Sequence, residues 1–217
     1  MENYNQVIVI GRCFGAGGRT VGRNLAATLN IPFYDNELLA EAASKFGFSR
    51  EVFARVDEKR PSFLKRLLTQ SYGVQESFGN DTLSAETLYH AQSRVIKAIA
   101  ACGPCVIVGR TADYILRDLP NLVSVFLHAP LSLRAKQIVE RGDSPSLEEA
   151  IELARQKDRQ RQEYYDYFTG RHWGEASNYD LTINFNEMIT LNGVVDLILQ
   201  FINSRAIFSP DSRNNVC

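Results

Sequence analysis

Apolar residues occur along the chain in short unbroken runs, separated by longer stretches in which they recur every three or four positions. Val7-Ile-Val-Ile10, Val106-Ile-Val108 and Leu122 to Leu127 are unbroken, and each is followed by glycine or by a small or polar turn. Such runs predict strands buried on both faces. Ile31-Pro-Phe-Tyr34, closed by Asp35, reads as a further short strand, and Asp180 to Phe185 as the last. Between them, Val21, Leu25, Ala26 and Leu29 mark a helix from Arg19 to Leu29, ended ahead of Pro32, and Leu38, Leu39 and Ala42 mark another. Helical spacing also covers Ala85 to Ala101, Leu133 to Glu140, Leu147 to Tyr165 and Ile189 to Ile202. Ser146 and the glutamates that follow it suit the start of the third of these.

Residues 46–86 hold no single period; a short helix is expected from Ser62 to Leu68, and a covering loop from Tyr72 to Asp81. The polar tail Arg205 to Cys217, broken by Pro210, is expected to be loosely ordered. Strands alternating with helices at this spacing predict an α/β fold: a mainly parallel five-stranded sheet between two helical layers, with right-handed crossovers. Ligands of such sheets gather outside the carboxyl ends of the strands.

Composition narrows the function. A chain of 217 residues, 45% of them hydrophobic, can build one domain with a sizeable core. Its 24 basic and 25 acidic residues leave a net charge of −1, which provides no bulk attraction to nucleic acid or to an anionic membrane. Any anion site must be local. No apolar run approaches the roughly 18 residues that span a bilayer, and the polar start MENYNQ is unlike a secretion signal, so the cytoplasm is the expected compartment. Cys13, Cys102, Cys105 and Cys217 do not form a disulfide framework. Cys102-Gly-Pro-Cys105 has the spacing of a thioredoxin-type pair, but it follows a helix and precedes a strand, the reverse of the redox arrangement, and reads as a helix-ending turn. His90, His128 and His172 have no ligand-like spacing.

The candidate chemistry begins at Gly11-Arg-Cys-Phe-Gly15-Ala-Gly17-Gly18-Arg-Thr20, which places four glycines between a buried strand and a helix. Glycines let the backbone turn its N–H groups inward, and the helix start adds partial positive charge, so Gly15, Ala16, Gly17, Gly18, Arg19 and Thr20 form a candidate phosphate loop. A dinucleotide fingerprint fails here, because Thr20 stands where its third glycine belongs. The triphosphate loop G-x-x-x-x-G-K-[ST] fits in two registers. In one, Gly18 stands at the lysine position; in the other, Arg19 does, with Thr20 as the hydroxyl that holds magnesium. No lysine occurs before Lys45. The second register is chemically more complete and makes Arg19 the expected lysine substitute, with Arg12 as its rival and an ion pair to an acid as the structural alternative.

The chain resembles the cytidylate kinase-like family, a P-loop group related to the nucleoside monophosphate kinases. The resemblance runs through Gly15-Ala-Gly-Gly-Arg19, Ile31-Pro-Phe-Tyr-Asp35, Cys105-Val-Ile-Val-Gly-Arg110, Lys157-Asp-Arg-Gln-Arg161 and Asn178-Tyr-Asp180. It implies a P-loop three-layer sandwich over residues 1–204, with 46–86 as a substrate-side insertion and 141–175 as a helical lid. It also implies phosphoryl transfer from ATP, with magnesium, to a nucleotide such as CMP or dCMP. Carried over by position, Asp35 and Arg110 would bind the acceptor, with Asp113 near the place of the family's next aspartate, and Asp158 and Arg161 would act from the lid. Three positions depart from the pattern: Glu41 and Ala154 stand where the family has arginines, and Thr111 where it has an aspartate. The missing lysine, Glu41 and Ala154 support the alternative of a nucleotide-binding regulatory module with little turnover.

Two further features bear on the site. Arg155, Lys157, Arg159 and Arg161 set four cations against Asp158 within seven residues, either as a solvated helix face or as a lid that matches phosphate charge. Tyr164, Tyr165, Tyr167, Phe168 and Trp173 offer either core packing or stacking for a base.

Overall fold

The computed structural model describes residues 4–45 and 85–207. Its elements are β1 (Val7–Arg12), α1 (Gly18–Leu29), β2 (Phe33–Tyr34), α2 (Asn36–Lys45), α3 (Ala85–Ala101), β3 (Cys105–Val108), α4 (Ala112–Ile115), β4 (Leu122–His128), α5 (Leu131–Glu140), α6 (Leu147–Thr169), β5 (Leu181–Asn184) and α7 (Leu191–Ile207). The strands form one sheet in the order β2-β3-β1-β4-β5, and every neighbouring pair is parallel.

β1 lies at the centre, and Val7, Ile8, Val9 and Ile10 are fully buried. Side chains alternate across a strand, so the run serves two layers. Ile8 and Ile10 pack with Val21 and Leu25 of α1 and Val194 and Ile198 of α7. Val7 and Val9 pack with Leu39 of α2 and Ile96 and Ile99 of α3. Full burial of one such side chain is worth about 1.5–3 kcal/mol. A one-residue slip would exchange the two sets of neighbours, which fixes the register.

The register pairs Ile10 with Val108 and Arg12 with Leu127, so the carboxyl ends of β1, β3 and β4 share one edge. α5 and α6 pack there as a helical pair around Ala135, Ile138, Ala150 and Ala154. Ala154 is fully enclosed in this small core, which explains why no arginine stands at that position. Ser146 caps α6 by accepting the N–H of Glu149, and Gly170 ends it in the left-handed region.

Element boundaries differ from the sequence reading mainly at the ends. α6 runs on to Thr169, and α7 runs past Ile202 to Ile207, where Arg205 donates to the carbonyl of Leu122. The one-turn α4 is too short to show a period and was not expected. The Cys102 to Cys105 turn does end α3 and lead into β3; burial pushes the Cys105 thiol up to about 12. The expected helix at Ser62 to Leu68, the Tyr72 to Asp81 loop and most of the tail lie outside the described residues.

Candidate active site

The glycine loop lies between β1 and α1, at the sheet edge. Gly15 and Gly17 have φ of 82° and 77°, a region that side chains rarely adopt. Neighbours reinforce the requirement: a Cβ on Gly17 would lie 2.6 Å from Leu191, and one on Gly15 would lie 2.8 Å from the carbonyl of Arg134. Gly17 is the cap of α1 and Gly18 its first residue. The first turn of a helix leaves its N–H groups without partners inside the helix, which suits an anion.

The helix start selects the register. The lysine of a triphosphate loop opens the helix that follows the loop, and here that position belongs to Gly18. The register that made Arg19 the substitute is therefore corrected. Arg19 turns away, with Nε 2.7 Å from Asp35 Oδ2 and Nη2 2.8 Å from Glu37 Oε2, and its side chain is half exposed. The same contacts engage Asp35, which was expected to bind the acceptor. Its carboxylate is buried, accepts the N–H groups of Glu37 and Leu38, and so caps α2 while holding Arg19. Asn36, next in the chain, is the residue that reaches the pocket.

That pocket, about 170 Å³, opens beside the loop at the carboxyl ends of β1 and β3. Its walls bring together Arg12, Arg110, Asp113, Lys157 and Arg161 with the aromatic rings of α6. Arg110 enters on strained backbone: Gly109, Arg110 and Thr111 have φ of 80°, 64° and 53° in succession. Left-handed conformations at residues other than glycine cost about 1–3 kcal/mol and concentrate at functional sites. Asp113, on α4, is buried and accepts a 2.7 Å hydrogen bond from the Tyr165 hydroxyl. Burial raises the Asp113 pKa, against opposing hydrogen bonds from Tyr165 and the backbone. Burial and the Asp113 charge hold the Tyr165 hydroxyl far above its ordinary range.

The basic run divides by helical spacing. Lys157 and Arg161, four residues apart, face the pocket, and Tyr164, Tyr165 and Phe168 continue the same stripe. Arg155 and Arg159 lie on the exposed outer side, where Arg155 meets Glu152 at 3.6 Å. The aromatics divide between ring packing and the pocket wall. Phe168 stacks on Tyr89 with ring centroids 4.3 Å apart, Trp173 meets the edge of Phe126, and Tyr164 and Tyr167 line the cavity.

Asp158, expected among the catalytic groups, is instead engaged by the protein. Oδ1 accepts the N–H of Phe14 at 2.7 Å, and Oδ2 pairs with Arg134. Arg134 also donates to the carbonyls of Phe14 and Ala129, so one ion pair ties the glycine loop to α5 and α6. Nothing in the local pattern singles Arg134 out; only the packing of α5 on α6 brings it there. Arg161 donates to the carbonyl of Arg12 at 3.2 Å, a second tie between α6 and the loop. The Cys13 thiol is pushed up to about 11, first by burial and then by Asp158, which makes it a packing group at neutral pH.

Thr20 is exposed and lies in the third position of α1, one beyond the hydroxyl position of the selected register, which Arg19 fills. It does not fit as a magnesium ligand. No group of three or more ligating side chains that could hold a metal exists among the described residues.

A parallel sheet with a glycine loop after its central strand and cations around its carboxyl edge is the architecture of the P-loop kinases. Shikimate kinase from Bacteroides thetaiotaomicron has this fold with a TM-score of 0.53 and 14% identity, over 91% of this chain and 98% of that one. An uncharacterized protein from Eubacterium ventriosum is more similar, with a TM-score of 0.69 and 26% identity over 92% of this chain and 99% of that one. The cytidylate kinase-like family matches residues 7–187, and the chain belongs to it. The cytidylate kinase of Pyrobaculum islandicum is 25% identical over 197 residues, 90% of this chain and 92% of its own length; that of Methanosarcina barkeri is 22% identical over 191 residues, 88% of this chain and 92% of its own. The protein is a kinase-like phosphotransferase. No helix among the described residues is long and apolar enough to cross a membrane.

Proposed function

We propose that the protein moves the γ-phosphate of ATP to a small phosphorylated acceptor, with a pyrimidine nucleoside monophosphate, CMP or dCMP, as the first candidate. The observation that carries this reading is the pocket beside the glycine loop, in which Arg12, Arg110, Lys157 and Arg161 face an aromatic wall. Cations there match phosphate, and the rings offer a surface for a base.

The glycine cradle and the start of α1 would receive the triphosphate of ATP through backbone N–H groups. Arg110, aimed by its left-handed backbone, would hold the acceptor phosphate, and Asp113 with Tyr165 would accept or donate hydrogen bonds deeper in the pocket. An acceptor-phosphate oxygen forms a bond to the γ-phosphorus as the bond to the β–γ bridging oxygen breaks, and the electron pair leaves with ADP. The second pKa of a phosphate ester is about 6, so at neutral pH the attacking oxygen is already deprotonated and no side chain must take a proton. Catalysis then rests on positioning and charge. Magnesium travels with ATP in kinases of this class and would neutralise phosphate charge when bound; the described residues add no cage for it, and no step here depends on it.

The test is a coupled ADP-release assay over CMP, dCMP, UMP, AMP and non-nucleotide phosphate esters, beside calorimetric titration with ATP. ADP release that depends on a pyrimidine monophosphate is the expected result. Release with another acceptor alone would replace the acceptor. The regulatory-module reading is favoured by one observation, the glycine at the lysine position with Arg19 paired to acids. ATP binding without release on any acceptor would select it.

A further inference from the structure

The lysine missing from the loop leaves a volume, and the structure fills that volume from the preceding strand. An ideal Cβ on Gly18 would lie 2.9 Å from Arg12 Cβ, 2.8 Å from Cγ and 3.3 Å from Cδ. The stem of Arg12 therefore runs across the position where a lysine at residue 18 would begin. Its far end lies over Gly109: a Cβ there would lie 1.9 Å from Arg12 Nη1 and 2.9 Å from Cζ. Two glycines from separate segments, one opening α1 and one following β3, thus make room for one arginine. The guanidinium ends against Gly109, next to Arg110 in the chain, and Arg12 lines the pocket. Arg161 fixes the backbone at the other end of the residue by donating to its carbonyl.

We propose that Arg12 does the work of the absent lysine: it is the catalytic cation that contacts the transferring phosphate, reached from the end of β1 instead of from the start of α1. The inference rests on the kinase reading above. It specifies which residue neutralises the γ-phosphoryl oxygens as the bond to the β–γ bridging oxygen breaks and the bond to the acceptor oxygen forms. It also explains the sequence. Gly18 is required because a side chain there would occupy the path of Arg12, and Gly109, in the left-handed region at φ 80°, leaves the guanidinium its present place. The planar fork of arginine can hold two phosphate oxygens at once, which a single ammonium does less well.

The experiment compares four variants with the wild type by melting temperature, ADP release and calorimetric affinity for ATP and for ADP. Arg12→Gln keeps the stem over Gly18 and removes the charge. Turnover should fall at least tenfold, and the preference for ATP over ADP should shrink, because the lost contact is to the γ-phosphate. Arg19→Ala should leave both unchanged. Gly18→Lys alone should lose activity through collision with Arg12, whereas the double variant Arg12→Ala with Gly18→Lys should recover at least part of it, since the lysine then has the vacated path. A purely structural Arg12 would not be rescued by a lysine at residue 18. Full turnover and full ATP preference in Arg12→Gln would overturn the proposal, as would loss confined to Arg19→Ala. The kinase reading fails separately: wild type without turnover on any acceptor, but with an ATP preference that Arg12→Gln removes, would retain Arg12 as the γ-phosphate ligand of a binding protein. Wild type that binds no ATP would overturn both.

Discussion

Asp113 is a carboxylate held where it is poorly solvated, and the pH dependence of stability should show it. Burial is the largest influence on this group and raises its pKa, with the Tyr165 hydroxyl and backbone donors opposing. For an acid whose folded pKa lies above the unfolded one, folding favours the protonated form; stability is complete below the unfolded value, about 3.9, and declines as pH rises through the folded value. Asp113→Asn removes that decline and keeps an oxygen for the Tyr165 hydroxyl to donate to. The variant should melt higher than wild type at pH 7, and the gap should close as pH falls below about 4. Because Asp113 lines the pocket, the same change should weaken acceptor binding. Denaturant melts from pH 3.5 to 7.5 decide the matter: a gap that persists undiminished at the acid end would assign the difference to packing. Arg19 and Arg12 illustrate what a residue's surroundings add to its sequence. With two adjacent glycines, the loop can be read in either register, and the choice depends on Leu191 against Gly17 and Arg12 against Gly18, contacts distant in the chain or hidden by the turn. Arg19 looked like a lysine substitute because Asp35 and Glu37 come near it only once β2 is placed.

The helix α6 separates its charges by face, and the proposed function predicts that the two faces differ in effect. Lys157 and Arg161 share the pocket stripe, while Arg155 and Arg159 lie outside. A charge-assisted contact to phosphate is worth about 1.5–3 kcal/mol, whereas an exposed helix ion pair such as Arg155 with Glu152 is worth about 0.3–0.5 kcal/mol. Lys157→Ala and Arg161→Ala should therefore each lower kcat/KM by about tenfold or more. Arg155→Ala and Arg159→Ala should change it less than about threefold, with melting temperatures near wild type. Steady-state kinetics of the four single variants make the comparison; equal losses on both faces would mean a diffuse field and not a positioned lid. The run itself was visible in the sequence, as was its helical setting, because spacing by four residues is a local property. Which side faced the sheet was not, since that is decided by Ala150 and Ala154 packing against α5 and by Asp158 reaching the N–H of Phe14. The latter contact turned a supposed catalytic aspartate into the clamp of the loop.

At the scale of the molecule, the sheet was readable because β1, β3 and β4 are buried on both faces and so appear as unbroken apolar runs, whereas β2, with only Phe33 and Tyr34, and one-turn α4 are too short to carry a period. The site was readable only in its parts, because its residues come from chain segments that the parallel topology brings together. Gly11 and Arg12 end β1, Gly109 and Arg110 follow β3, and Lys157 and Arg161 belong to α6. This convergence has a thermodynamic consequence. A ligand that bridges these segments binds the folded chain and not the unfolded one, so it should stabilise the whole fold in a single transition. At 100 times its dissociation constant, ATP should add about 2.7 kcal/mol, and for a chain of this size that corresponds to a rise of about 5–10 °C in Tm. The net charge of −1 supplies no long-range attraction, so the gain must come from the cations around the pocket and its neighbouring loop. Partly exposed charges are screened as the Debye length falls from about 10 Å at 0.1 M salt to about 3 Å at 1 M. The measurement is scanning calorimetry with ATP, with CMP and with both, at low and high salt. Each ligand alone should raise Tm, the pair should raise it further, and at fixed ligand concentration each shift should shrink at high salt. A salt-independent shift, or one confined to a separate minor transition, would place binding away from the arginine-lined edge of the sheet.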